Sequence, residues 1–151
     1  MRHRVLTMLV MATIAMGTVS AQGVKGWKVR ADRSTNASDP DAAGAIKFTP
    51  AGSGFHAVNP QAAVYWNPST TASGAFTVKG SFTLVKPSNH TNYYGLVFGG
   101  KDLEGPGQTY LYFLVAQDGS WLVKQRKGDA ATADVAPKAM HAAVKIGRAH
   151  V

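Results

Sequence analysis

Two carboxylates, Asp102 and Glu104, stand two residues apart in the glycine-rich run Lys101-Asp102-Leu103-Glu104-Gly105-Pro106-Gly107-Gln108. Paired carboxylates hydrolyse glycosides when they flank the scissile bond at a set separation. With backbone carbonyls they also ligate calcium. Asp102 and Glu104 are therefore the candidate acid and base of a glycoside hydrolase. The same run, with Lys101 adjacent, equally describes a solvated turn, and no EF-hand spacing accompanies it. His56, His90 and His141 are far apart and match no zinc spacing. Gly52-Ser53-Gly54 has turn composition and is no nucleophile elbow. Neither a P-loop nor a dinucleotide fingerprint occurs. No catalytic set, metal or cofactor is expected beyond the two carboxylates.

Aromatic residues offer a second chemistry. Tyr93, Tyr94, Tyr110, Tyr112 and Trp121 cluster in consecutive apolar runs, and Tyr65 and Trp66 end an earlier one. Flat rings pack against the C–H faces of sugars, while nearby amides and carboxylates bond the hydroxyls. Tyr94, Tyr110, Tyr112 and Trp121 are the candidate ligand-binding residues, for a polysaccharide or a cell-envelope glycan. Aromatic residues in strands also serve as core or sheet cover.

Positioning these groups falls to short strands. Alternation marks strands at residues 27–30, 45–49, 55–58 and 62–66, with a turn over residues 50–54 and a loop over 32–44. The clearest alternation is residues 75–85. Phe76, Val78, Gly80, Phe82 and Leu84 share one face, and Thr77, Lys79, Ser81 and Thr83 the other. Residues 93–98 are apolar on both faces, as in a central strand. Gly95 and Gly99 within or beside them mark a close backbone approach or a bulge.

Residues 110–116 and 120–126 flank Gln117-Asp118-Gly119 and read as a hairpin. A two-residue Asp118-Gly119 turn sets Ala116 against Trp121, Leu114 against Val123 and Tyr112 against Gln125. That register places Trp121 on the face of Tyr110 and Tyr112. Residues 128–145 are alanine-rich, and 134–145 read as a loop or a helical turn. Many short strands and no long amphipathic helix indicate an all-β antiparallel sandwich or barrel.

The chain has 151 residues, enough for one domain, and 45% hydrophobic content, which argues against disorder. Residues 1–21 read as a signal peptide: Arg2 and Arg4, an apolar run over 5–16, then Val19-Ser20-Ala21 before the cleavage point. The expected location is secreted or periplasmic, with no membrane span after cleavage. With no cysteine, no disulfide can support the fold.

The formal charge is +8, but without Arg2, Arg4 and Arg148 there are 13 basic against 8 acidic residues. The densest basic group, Lys124, Arg126 and Lys127, is too small for a nucleic-acid stripe, so no nucleic-acid partner is expected. Residues 146–151 spell a translated sequencing adapter and are expected to be a non-native tail. That leaves residues 22–145 as a domain incomplete at its C-terminus.

Trp27-Lys28-Val29, the run from Phe76 to Phe82, Tyr93-Tyr94-Gly95-Leu96-Val97-Phe98-Gly99-Gly100, Tyr110-Leu111-Tyr112-Phe113, Asp118-Gly119 and Lys124-Gln125-Arg126 together resemble bacterial exported concanavalin A-like (laminin G-like) jelly rolls, near their keto-disaccharide hydrolase-like branch. The resemblance covers residues 27–145. It implies two packed antiparallel sheets with a concave, often glycan-facing side, and further strands after this point. The E-x-D-x-x-E strand motif of the glucanase branch is missing, so that catalytic assignment does not transfer. Three functions follow as expectations: a non-catalytic lectin-like glycan-binding domain, a glycoside-acting hydrolase, or a structural exported protein with no ligand. The sequence leaves oligomeric state open.

Overall fold

The structure, a computed structural model, describes residues 23–32, 44–87 and 90–144. The signal-peptide reading, most of the 32–44 loop and the 146–151 tail lie outside the described residues. Within them the chain is all-β and antiparallel, with no helix. The strands are β1 (Lys28–Ala31), β2 (Lys47–Ala51), β3 (Gly54–Val58), β4 (Ala63–Trp66), β5 (Tyr93–Lys101), β6 (Thr109–Ala116), β7 (Ser120–Lys127) and β8 (Thr132–Met140). They form the ribbons β1-β4 and β2-β3 and one four-stranded sheet, β5-β6-β7-β8.

The β2-β3 hairpin closes through Gly52 and Ser53. Gly52 has φ 58°, a value that glycine adopts without strain. One face of this ribbon meets the β1-β4 ribbon in an aromatic cluster. Phe48, 1% exposed, lies 4.7 Å from Phe55 and 4.6 Å from Tyr65 between ring centres, and Trp27 stacks edge-on against Phe55 at 5.1 Å. Alternation along β1 and β4 then puts Lys28, Arg30, Val64 and Trp66 on the opposite side. From that side Lys28 and Arg30 reach the loop between β5 and β6. Val64, only 2% exposed, is buried on the same side.

Two glycines shape β5. A Cβ at Gly95 would collide with the carbonyl oxygen of Phe113, so glycine permits the close approach of β5 and β6 there. Gly99, at φ 65°, lies where the ladder slips between Phe98 and Lys101, which makes it a bulge.

Three expectations need correction. First, the β6-β7 hairpin has a three-residue loop, Gln117-Asp118-Gly119. The Gly119 amide donates to the Ala116 carbonyl at 3.0 Å, and Gly119 is left-handed at φ 85°. This is a turn followed by a glycine bulge. The register is therefore Val115 to Trp121, Leu114 to Leu122, Phe113 to Val123 and Tyr112 to Lys124. A slip of one residue turns a whole strand over, so Trp121 lies on the face opposite Tyr110 and Tyr112.

Second, residues 132–140, read as part of a weakly patterned stretch, form β8. Pro137 is tolerated because β8 is an edge strand. The ladder to β7 slips twice beside it.

Third, residues 75–85 form no ladder. Alternation decides which side of a segment is apolar, but it does not supply a hydrogen-bonding edge. Here Phe76 and Phe82 remain about half exposed, and the segment meets β5 where Phe82 lies against Tyr94 and Gly80 lies against the Leu96 side chain.

The sheet thus has two unlike faces. Tyr93, Val97, Tyr110, Tyr112, Leu114, Leu122, Lys124 and Arg126 share one. The other carries Tyr94, Leu96, Phe98, Phe113, Trp121 and Val123, with Ala133, Ala136 and Ala139 along β8. The most deeply buried sheet residues, Tyr110, Ala116, Ser120, Leu122 and Arg126, all belong to the first face. That is the face to which Asp32, at the end of β1, is bonded.

Candidate functional site

The chemically richest region lies on the Tyr112 face where Asp32, just after β1, is bonded to Tyr110 and Arg126. Arg126, with 4% of its side chain exposed, places Nη2 3.1 Å from Asp32 Oδ1. The Tyr110 hydroxyl donates to the other carboxylate oxygen of Asp32. Arg126 also donates to the Asp129 carbonyl at 2.9 Å. The Asp129 carboxylate accepts from Gln108 Nε2 at 3.0 Å and from Arg30. Arg30 reaches on to the Gly105 carbonyl at 2.8 Å.

Charges this far from water persist only when paired and hydrogen-bonded. Asp32 Oδ1 meets that need by its ion pair with Arg126 alone and Gln108 Oε1 has no hydrogen-bond partner among the described residues, while the remaining bonds tie β1, the β5-β6 loop and the β7-β8 turn together. Burial raises the Tyr110 hydroxyl pKa well above its ordinary value, and the hydrogen bond and negative charge of Asp32 raise it further. This junction is a structural clamp.

Along the same face the polar groups become accessible. Register sets Tyr112 beside Lys124 and Lys124 beside Asp134 on β6, β7 and β8. Lys124 Nζ stands 3.3 Å from Asp134 Oδ1, both side chains being partly open to solvent. Thr132 hydrogen-bonds the Tyr112 hydroxyl, whose pKa is raised chiefly by burial. The Tyr110 and Tyr112 rings lie 5.7 Å apart, tilted by 50°. A half-buried ring beside an ammonium group and a carboxylate can pack against a sugar face while bonding its hydroxyls.

A third cluster closes the far end of this face. Ser120, fully buried, donates from Oγ to Asp118 at 2.5 Å and from its amide at 2.9 Å, and its hydroxyl also meets that of Tyr93 at 2.9 Å. Lys138 bonds Asp118 at 3.2 Å and lies 5.7 Å over the Tyr93 ring. The hydrogen bonds from Ser120, and then Lys138, lower the Asp118 pKa to about 2.

The candidate residues from sequence divide among these places. Tyr110 and Tyr112 lie together, but Tyr110 is only 3% exposed and serves the clamp. Tyr94 and Trp121 lie on the opposite face. Tyr94 meets Phe82 at 5.9 Å, and Trp121 meets Phe113 at 6.3 Å. The four therefore do not form one site.

Glu104 is ion-paired to Lys28 on the surface. Asp102 holds a left-handed φ of 52°, and its carbonyl accepts from the Gly105 amide at 2.9 Å, a turn role. Among the described residues no group of three or more histidines or carboxylates could hold a metal ion, and no helix is long and apolar enough to cross a membrane.

Asp32, Gln108, Lys124, Asp129 and Asp134 were not anticipated as site residues. Only Lys124 had a sequence signal, since a three-residue turn would have set it opposite Tyr112. Compared with protein-family models, with curated proteins and with solved structures, the chain finds no match.

Proposed function

We propose that this chain is an exported, lectin-like domain that binds polysaccharide or cell-envelope glycan without cleaving it. In this reading the fold is a jelly-roll β-sandwich of the concanavalin A-like type. The four-stranded sheet forms one layer, and the β1-β4 ribbon belongs to the other. The support for two layers is that Arg30 and Asp32 both reach from the ribbon to the sheet and its loops.

The observation that carries the binding reading is the row Tyr112, Lys124 and Asp134 across three adjacent strands. The ring offers a flat apolar platform, the ammonium group donates, and the carboxylate accepts. Neither Asp102 nor Glu104 stands in this row. The hydrolase reading gains nothing from their positions, since one makes a turn and the other an ion pair.

Affinity electrophoresis of the full chain through gels containing neutral and acidic polysaccharides tests the proposal. At least one polysaccharide should retard the protein. Tyr112→Ala and Asp134→Ala should each weaken the retardation at least tenfold, with circular dichroism unchanged. Trp121→Ala, on the other face, should bind as the parent does. Absence of retardation by every polysaccharide, or full retardation of Tyr112→Ala, would overturn it.

A further inference from the structure

The two edges of the four-stranded sheet are not alike. A free edge strand presents unpaired N–H and C=O groups, and proteins blunt such edges with proline, charge and bulges. The β8 edge has all three: Pro137, Asp134 and Lys138, and two slips of the ladder. Along β5, residues 93–98 carry no charge, no proline and no bulge, and their side chains are large and apolar on both faces apart from Gly95. Such an edge needs a partner strand.

Residues 76–84 already lie beside it. The Phe82 ring is 5.9 Å from that of Tyr94, and a Cβ at Gly80 would stand 2.9 Å from Leu96 Cδ2. The two contacts pair 82 with 94 and 80 with 96, one antiparallel register. In that register 84 falls opposite 92, and 78 opposite 98. Beyond 98 the bulge at Gly99 ends the match. The parity also agrees. Phe82, Gly80 and Val78 share a side, and their partners Tyr94, Leu96 and Phe98 share the apolar face of the sheet. Only residues 85–92 connect the two segments, and consecutive strands joined by short connections usually neighbour each other.

We infer that residues 76–84 are a strap that closes on the open edge of β5 as a fifth, antiparallel strand, guided by the Phe82–Tyr94 and Gly80–Leu96 contacts. Closure gives the β5 edge its hydrogen-bonding partners and brings Val78 beside Phe98. It also turns Lys79, Ser81 and Thr83 onto the Tyr112 face, next to Tyr93, Gly95 and Val97. This inference stands on register and edge chemistry and holds whether or not that face binds a glycan.

The cysteine-free chain allows a direct test by paired cysteines, because a disulfide demands Cα atoms about 4.4–6.8 Å apart. Under mild oxidation of the full chain, Thr83→Cys with Tyr93→Cys should form an intramolecular disulfide at least tenfold faster than Thr83→Cys with Val97→Cys. In the unmodified protein, hydrogen exchange should show backbone amides of residues 78–84 slowed at least a hundredfold over unstructured chain. Equal linking rates for the two pairs, disulfide-linked dimers in place of the internal bond, or unprotected amides over 78–84 would each overturn it. A dimer would mean that a second copy holds the edge.

Discussion

The guanidinium of Arg126 stands 3.1 Å from the carboxylate of Asp32, joining the end of β1 to the end of β7 beside the β7-β8 turn. Both groups are largely buried, and Tyr110 adds a hydrogen bond to the same carboxylate. Removing one member of a buried pair strands the other, at a cost of about 3–5 kcal/mol. Arg126→Met should therefore lower the unfolding free energy by about that amount in urea titrations. The double variant Asp32→Asn with Arg126→Met should lose less than Arg126→Met alone, because no charge is then left unpaired. Equal or greater loss in the double variant would show that the pair is not the clamp.

Gly95 is the position least able to accept a side chain. Gly95→Ala drives a methyl group into the Phe113 carbonyl and should cost about 3 kcal/mol or more, since overpacking of 1–3 kcal/mol is compounded by backbone displacement. Gly105→Ala meets only the Asp102 carbonyl at 3.8 Å, ordinary contact, and should change the thermal midpoint little. Similar midpoints for the two variants would contradict the close approach of β5 and β6.

Acid should act through Asp118. Its pKa lies near 2 in the folded protein, against a value near 3.8 when unhindered. A lowered carboxylate stabilises the fold above its unfolded value, and that contribution disappears as pH falls from about 4 towards 2. Denaturant midpoints should drop through this window in the parent. In Asp118→Asn the drop should be shallower, with a lower starting stability at neutral pH.

At alkaline pH burial should delay the ionisation of tyrosines. Burial pushes Tyr65 up to about 12, and its hydrogen bond to Asn59 only partly opposes this. Tyr110 is raised as well. A raised phenol leaves stability intact below pH 10 and withdraws it as pH climbs above its unfolded value. Spectrophotometric titration at rising pH should show Tyr65 and Tyr110, with Tyr94 and Tyr112 also raised by burial, ionising late, together with loss of near-ultraviolet dichroism. In Tyr65→Phe one late proton should be missing.

Much of the strand plan was legible because alternating apolar residues announce a half-buried strand: β1 to β7 each fall on or beside a patterned run. The turn between β6 and β7 was harder. Asp118-Gly119 fits a two-residue hairpin and a three-residue one alike, and only the left-handed Gly119 with its amide bonded to Ala116 distinguishes them. That one-residue difference moved Trp121 to the other face and brought Lys124 beside Tyr112.

β8 escaped notice for another reason. Its alanines pattern weakly and Pro137 argues against a central strand, yet the exposed edge of β7 is enough to organise it. The clamp was invisible because Asp32 and Arg126 meet only through tertiary packing, which no local spacing encodes.

The meander from β5 to β8 is built from neighbours in sequence, whereas Asp32 must find Arg126 and Tyr110 from far upstream. Local pairings close quickly and distant ones wait on the entropy of a long loop. During synthesis β1 therefore leaves the ribosome well before the surface that receives it exists. β1 is the first strand made yet among the last to lock onto the sheet, and a chain halted before β7 holds it through its ladder to β4, leaving Asp32 unclamped and within reach of chaperones.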